Sequence, residues 1–386
     1  MSRTLIVTND FPPRQGGIET FASEMARRFP SDSIVVYTSA ERGAAAYDAS
    51  LPFLVIRDRS RTLLPTGRVM RRAGRIALEY GCDTAWIAAA APLGLIAPAL
   101  RACGVKRVVA TTHGHETWWA KLLSTRWGLR TIGRWVDVLT YISGHTYRAI
   151  LPAMSPDTAL VRLSPGVDVE QFNPVRGSGA GPDPSPDGNS GVIVCTARLV
   201  PRKGQDSLIR ALPAVLERHP DTKLLLVGDG PDRRRLQRLA RTKGVEDAVT
   251  FVGGLPHELV AQILAGATIF AMPCRTRRLG LEEEGLGIAY LEASAMGLPI
   301  IAGDSGGAPE TVQAGRTGYV VKDVEQLTQA IVELLDNPAR ARAMGERGRR
   351  WVAVQWTWNT AYSTLLTALF PNVLADGQDR SSTPQQ

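Results

Sequence analysis

The chain has 386 residues, 44% hydrophobic and 21% charged, with a formal net charge of +8 at pH 7. That length exceeds one ordinary core, so two domains are expected, and the composition supplies apolar material for both. The four cysteines, Cys82, Cys103, Cys195 and Cys274, include no close pair, which argues against a zinc knuckle or redox couple and for reduced, buried thiols of a cytosolic protein.

The charge is divided unevenly. Residues 1–176 hold 22 Lys/Arg against 14 Asp/Glu, whereas residues 177–386 hold 23 against 23. The whole excess lies in the N-terminal part, so an anionic partner is expected to meet that part. Leu5-Ile6-Val7 leads through Asp10 and Phe11-Pro12-Pro13 to Gly16-Gly17-Ile18. This predicts a first strand with no signal peptide before it, a glycine loop, and a helix from about Ile18. Gly16 and Gly17 would let a phosphate or hydroxyl approach the backbone, although an ordinary turn uses the same residues. Strand patterns follow at residues 33–37 and 54–56. The segment from Arg68 to Ile76, with Arg71, Arg72 and Arg75, is basic and carries an apolar stripe of Val69, Met70 and Ile76. It suits either the solvated face of an ordinary helix packed on a sheet or a helix lying on anionic lipid. The longest apolar run, residues 85–100, is broken by Pro92, Gly94 and Pro98 and is too short to span a bilayer.

Residues 107–112 read as a strand that delivers His113 and His115 at its carboxyl end, where open α/β sheets bind ligands. Trp118, Trp119, Trp127 and Trp135 then fall among Lys121, Arg126, Arg130 and Arg134. Such a mixture suits a membrane–water interface or a lipid headgroup, and single-stranded nucleic acid would suit it too. A strand at 138–143 and the segment 163–172 close the first domain. Residues 173–190 are rich in Gly, Pro and Ser and read as a linker.

The second domain opens with a strand from Val192, followed by Arg198 and Pro201-Arg202-Lys203-Gly204. Arg198 and Lys203, five apart at a strand end, form a natural diphosphate clamp, the first through a fork and the second as a point charge; a solvated basic loop would look the same. Residues 274–278 lead through Glu282 and Glu283, read as solvated, into Glu284-Gly285-Leu286-Gly287-Ile288 and on to Glu292. Here a loop enters a helix that ends at Gly297 and Pro299. A helix start with small residues leaves N–H groups open to a phosphate. Glu284 and Glu292 would lie roughly 12 Å apart if the rise between them were helical. A surface helix with solvated carboxylates fits the same spacing.

Glu-x7-Glu followed by Ala-x-Ala-x-Gly-x-Pro, together with Arg-Leu-x-x-x-Lys-Gly from Arg198, resembles the donor-site signature of retaining GT-B glycosyltransferases of family 4. The resemblance spans roughly residues 1 to 370 and implies two doubly wound Rossmann-like domains with an interdomain cleft. It implies an N-terminal acceptor domain (1–172, with a returning helix at about 356–372), a linker (173–190), a nucleotide-sugar domain (191–355) and a disordered tail (375–386). Thr-Asn-Asp-Phe-Pro-Pro-Arg-x-Gly-Gly, His-Gly-His-Glu-x-Trp-Trp and Cys-Arg-Thr-Arg resemble the branch that moves mannose from GDP-mannose to phosphatidylinositol mannosides. On that likeness Arg198, Lys203 and the backbone of Gly285, Leu286, Gly287 and Ile288 hold the diphosphate, with Gly17 closing over it. Leu255 lies beside the base and Glu292 takes the ribose. Glu284 and His113 meet the transferred hexose, while Asp10, Gly16 and His115 meet the acceptor. The implied partners are a nucleotide sugar and an anionic phospholipid at the cytoplasmic face of the membrane, with peripheral association, and no nucleic acid. No separate cofactor and no metal are implied. A hexosyltransferase with a different donor or a soluble acceptor is the nearest alternative.

Overall fold

The computed structural model describes residues 3–14, 16–174 and 191–371. The expected tail and residues 175–190 of the expected linker lie outside them. The chain divides into two compact units, one formed by residues up to Pro165 together with those from Trp358, the other by Gly166–Thr357.

The first unit holds seven parallel strands: β1 (Arg3–Thr8), β2 (Ile34–Thr38), β3 (Leu54–Arg57), β4 (Cys82–Ile87), β5 (Arg107–Thr112), β6 (Val138–Tyr141) and β7 (Leu160–Arg162). Their spatial order is β3-β2-β1-β4-β5-β6-β7. The strands are near-continuous apolar runs because helices cover both faces of a parallel sheet. Alternation then sorts side chains by face. Leu5, Val7, Val35, Tyr37, Ala85 and Ile87 join a core with Val69, Ala73 and Ile76 of helix Gly67–Glu79. Ile6, Val36, Trp86 and Val109 face the opposite core, which contains Phe21 and Met25. Helix Trp358–Leu369 closes that second face through Trp358, Ala361, Leu365 and Ala368, and Arg107 donates to the Ala368 carbonyl at 2.6 Å. Full burial of Leu365 and Leu369 contributes about 1.5–3 kcal/mol each.

The second unit has six parallel strands: β8 (Val192–Thr196), β9 (Lys223–Val227), β10 (Val249–Gly253), β11 (Ile269–Met272), β12 (Ile300–Gly303) and β13 (Gly318–Val321), in the order β10-β9-β8-β11-β12-β13. Helix Gln205–Arg218 buries Leu208, Ile209, Leu212 and Val215, the i, i+1, i+4, i+7 spacing of a core-facing stripe. All four cysteines are free thiols. Burial pushes Cys195 up to about 12 and Cys82 and Cys274 up to about 11, so these three are held protonated as small apolar side chains.

Candidate active site

In an open parallel sheet, ligands bind beyond the carboxyl ends of the strands where the strand order reverses. In the second unit that point lies between β8 and β11. β8 runs out into Arg198, whose side chain is exposed and has no ion-pair partner among the described residues. A single tight turn, Pro201–Lys203, precedes helix Gln205–Arg218. Lys203 Nζ lies 2.7 Å from Glu284 Oε2, and Arg202 Nη1 lies 3.9 Å from the same oxygen. Glu284 itself is only 8% exposed. Burial alone would raise its carboxyl pKa, but Lys203 and then Arg202 outweigh burial and hold it below its ordinary value. The site therefore holds a buried carboxylate that stays ionised, with two cations on one oxygen.

The main chain at Glu284 is equally constrained. Its N–H points to Ser305 Oγ at 3.4 Å, and its carbonyl accepts from the Gly307 N–H at 2.9 Å. The helix begins only at Ile288 and runs to Ala295, with Gly287 at its N-cap in a left-handed conformation (φ 96°). The expected helical rise between Glu284 and Glu292 is thus corrected: the first half of the interval is loop, because Gly285 and Gly287 flank a buried Leu286. Gly287 has no side chain with which to cap the helix start, which leaves the first N–H groups open to an anion. A second correction concerns the loop before it. Glu282 is not free in solvent but pairs with Arg278 at 3.0 Å and Arg277 at 3.5 Å. Arg275 is tied to Asp206 at 2.8 Å, and its N–H donates to the Arg202 carbonyl at 2.8 Å, which fixes the two loops against each other.

Glu292 lies further along the same helix, with Oε1 2.8 Å from His257 Nε2. The His257 ring meets Phe172 edge-on at 5.2 Å, and its Nδ1 is 3.4 Å from Gln171 Nε2. Half-buried Leu255 sits in the loop between β10 and helix His257–Ala265. That helix therefore ties the Leu255 loop to Glu292.

In the first unit the order reverses between β1 and β4. Asp10 follows β1 and pairs through Oδ1 with Arg14, whose Nε lies 2.6 Å from Glu19 Oε1. Burial, and then the charge of Glu19, raise the Asp10 carboxyl above its ordinary value in spite of Arg14. Gly16 and Gly17 are exposed at the start of helix Gly17–Ala26. His113 follows β5. Its Nε2 is 2.5 Å from the Ala88 carbonyl, and its ring packs edge-on to Phe21 at 5.2 Å. Burial lowers its pKa, so the ring is neutral, and the carbonyl partner fixes the proton on Nε2 and leaves Nδ1 as an acceptor. Glu116, fully buried, accepts from the His113 N–H at 3.0 Å and lies 3.2 Å from His115 Nε2. Asp10, His113 and His115 thus belong to one electrostatic cluster. Among the described residues, no group of three or more His, Cys, Asp or Glu is arranged to hold a metal ion.

The structure also shows what covers the apolar stripe of helix Gly67–Glu79. Val69 and Ile76 point into the core, so its apolar stripe is spent on folding. Arg68 makes a two-pronged pair with Asp58 (2.7 and 2.9 Å), a carboxylate that also accepts from Tyr37 Oη at 2.6 Å. Arg71 and Arg75 remain exposed on the helix, and Arg72 is half-buried.

Comparison with known proteins places the chain in a family. Residues 15–171 match the family model described as Glycosyltransferase Family 4, and residues 182–351 match Glycosyl transferases group 1. The chain is 46% identical over 383 residues to a GDP-mannose-dependent alpha-(1-6)-phosphatidylinositol monomannoside mannosyltransferase of Mycolicibacterium smegmatis, covering 95% of this chain and 97% of the relative. The chain belongs to glycosyltransferase family 4. A similarly named Mycobacterium tuberculosis enzyme is 44% identical over 95% of this chain and 97% of its own length. A Corynebacterium glutamicum enzyme named for a monoacylated form of that acceptor is 46% identical over 92% of this chain and 94% of its own length. Among solved structures, sucrose-phosphate synthase from Thermosynechococcus elongatus covers 97% of this chain and all of its own at a TM-score of 0.76 and 20% identity. Anabaena HepE with UDP-glucose covers 97% and 99% at 0.77 and 18%. These two share the GT-B fold with this glycosyltransferase.

Several of its site neighbours were not singled out by motif. Arg202 carries no motif signal of its own although it adjoins Lys203, and only the folded loop shows that both reach Glu284. His257 lies 35 residues from Glu292 and carries no local signal. Glu116 stands inside the His-Gly-His-Glu-x-Trp-Trp motif beside His115, which meets the acceptor on the resemblance, whereas Glu19 reads only as a helix-start acid.

Proposed function

We infer that this glycosyltransferase moves mannose from GDP-mannose to a hydroxyl of a phosphatidylinositol monomannoside. The near full-length identity to enzymes of that name carries the reading. The reaction breaks the bond from the sugar C1 to the diphosphate oxygen and forms one from C1 to the acceptor oxygen. The acceptor proton passes to the leaving phosphate, and attack on the face of departure retains the anomeric configuration. Charge grows on the leaving diphosphate, and fixed cations and N–H groups stabilise such charge without reorganising. We assign that work to Arg198, Lys203 and the open helix start after Gly287. Arg198 supports it by having no other ion pair among the described residues. Glu284, ionised beside Lys203, and neutral His113 are assigned to the hexose hydroxyls; Glu292 to the ribose; Leu255 to the base. Gly17 is assigned to the donor, and Asp10, Gly16 and His115 to the acceptor.

Radiolabelled GDP-mannose incubated with and without phosphatidylinositol monomannoside should give labelled lipid only in the presence of acceptor. Equal label on a soluble sugar acceptor would favour the alternative hexosyltransferase. For the carboxylates, Glu292→Gln should weaken GDP and GDP-mannose alike, and His257→Ala should do so to a smaller degree by releasing Glu292. Glu284→Gln should reduce transfer while leaving GDP affinity close to normal. Calorimetry with the reverse pattern would exchange the two assignments.

Among the described residues no helix is long and apolar enough to cross a membrane. We infer peripheral contact with the cytoplasmic face of an anionic membrane through Arg71, Arg72 and Arg75 of the first unit. Three basic residues near such a surface are worth roughly a hundredfold in partitioning at low salt. Replacing the three with Ser should reduce co-sedimentation with phosphatidylinositol vesicles by about that factor at low salt, and the difference should fade as salt screens the charges. Undiminished co-sedimentation would place the contact elsewhere.

A further inference from the structure

A groove of about 320 Å³ is sunk into the helical layer of the first unit, between the start of helix Gly67–Glu79, helix Ala97–Ala102 and helix Leu123–Trp135. Its walls include Met70, Leu95, Pro98, Ala99, Trp127 and Trp135. Trp127, Thr131 and Trp135 recur at every fourth residue, so they form one continuous helical wall about 12 Å long. The Thr131 hydroxyl donates to the Trp127 carbonyl at 2.9 Å, which turns the one polar side chain of that wall back on its own helix. Trp127 is 71% exposed and Trp135 40%. Two indoles left to water beside an apolar channel mark a surface that something covers. The volume lies at the small end of ligand pockets, which run to roughly 300–1,000 Å³. It is too small for a whole phospholipid and suits one chain.

The surroundings favour an anionic amphiphile over a neutral one. Arg71 follows Met70 at a helix start, and Arg130 directly precedes Thr131. Both are exposed and have no ion-pair partner among the described residues. In a parallel α/β sheet the crossover helices run back against the strands, so helix starts lie at the carboxyl edge of the sheet. Pro65 and Met70 line the groove at such a start, on the edge that carries Asp10 and His115, and Trp135, the last residue of its helix, lines the far end of the groove toward the opposite edge. We propose that this groove seats one acyl chain of the phospholipid acceptor, with the flanking arginines meeting lipid phosphate. The proposal rests on the acceptor class assigned above.

The test uses dihexanoyl phosphatidylinositol monomannoside below its micellar concentration, with the deacylated glycerophosphoinositol monomannoside as its partner probe. Each buried methylene is worth about fourfold in binding. After the cost of ordering the chain, the acylated probe should bind the full-length enzyme at least tenfold more tightly by calorimetry. Thr131→Phe fills the groove and Trp127→Ala opens its wall at an exposed position; either should remove that advantage and leave the affinity for the deacylated probe unchanged. Equal affinities for the two probes in the wild type, or an advantage that survives both variants, would overturn the proposal. So would a change of oligomeric state on Trp127→Ala without lipid, which would make the groove a self-association surface. Mannose transfer to the acylated probe is measured in parallel. Its absence would sink the acceptor assignment, whereas the groove stands or falls on the binding difference.

Discussion

Lys203→Ala is expected to lower mannose transfer by roughly a hundredfold to a thousandfold, the range seen when one fixed donor to a developing charge is removed. The same change leaves buried Glu284 with Arg202 alone, 3.9 Å away. Breaking one side of a buried pair costs about 3–5 kcal/mol, so lost activity has to be separated from lost fold. The double variant Lys203→Ala/Glu284→Gln removes both charges and should regain much of the stability without regaining transfer. The acid limb provides a second readout. Glu284 lies below its ordinary value in the folded chain, so the pair's stabilisation is complete above the unfolded value near 4.5 and is lost as pH falls through the lower folded value. Lys203→Ala should therefore unfold at a higher pH than wild type in an acid titration followed by circular dichroism. Near-normal turnover of Lys203→Ala at subsaturating GDP-mannose would remove Lys203 from the diphosphate site.

Gly306→Ala should be the more damaging change to the scaffold around Glu284. Gly306 has φ 57°, and a Cβ there would sit 1.9 Å from the Glu284 carbonyl oxygen, a backbone atom with no side-chain freedom to yield. The strain and overpacking together are expected to cost about 2–5 kcal/mol. They should also displace the Glu284–Lys203 pair, so transfer falls at temperatures where the variant is still folded. Gly297→Ala is the control: φ is 77°, yet nothing lies within 4 Å of its Cβ, so it carries backbone strain alone. Urea midpoints measured side by side should separate by the cost of the close approach, and equal midpoints would show that the loop around Glu284 yields.

Both variants probe contacts that no motif announces. The apolar runs beginning at Leu5, Ile34, Val108 and Val192 read as strands, and a strand covered on both faces of a parallel sheet is apolar throughout; that the two sheets are doubly wound came with the family resemblance. The end of such a strand is also where chemistry collects, which is why Arg198, Lys203 and His113 stand out in the sequence. The two readings of the segment after Arg68 stay open in the sequence for a related reason. Periodicity reports that a helix has an apolar face but not what covers it, and here the sheet covers Val69 and Ile76 while Asp58 engages Arg68.

By itself, the sequence determined the family signature, the fold class that this signature implies, and the short list of charged groups at the strand ends, since the signature and the strand ends rest on local spacing. Only the tertiary structure decided which charges meet. The pairing of Lys203 with Glu284 spans 81 residues and that of His257 with Glu292 spans 35, and each depends on loops brought together by parallel strands that are not neighbours in the chain. The Trp127 groove is of the same kind. Its three walls come from separate crossover helices, and their approach follows from how the sheet packs them, which no single stretch of residues encodes.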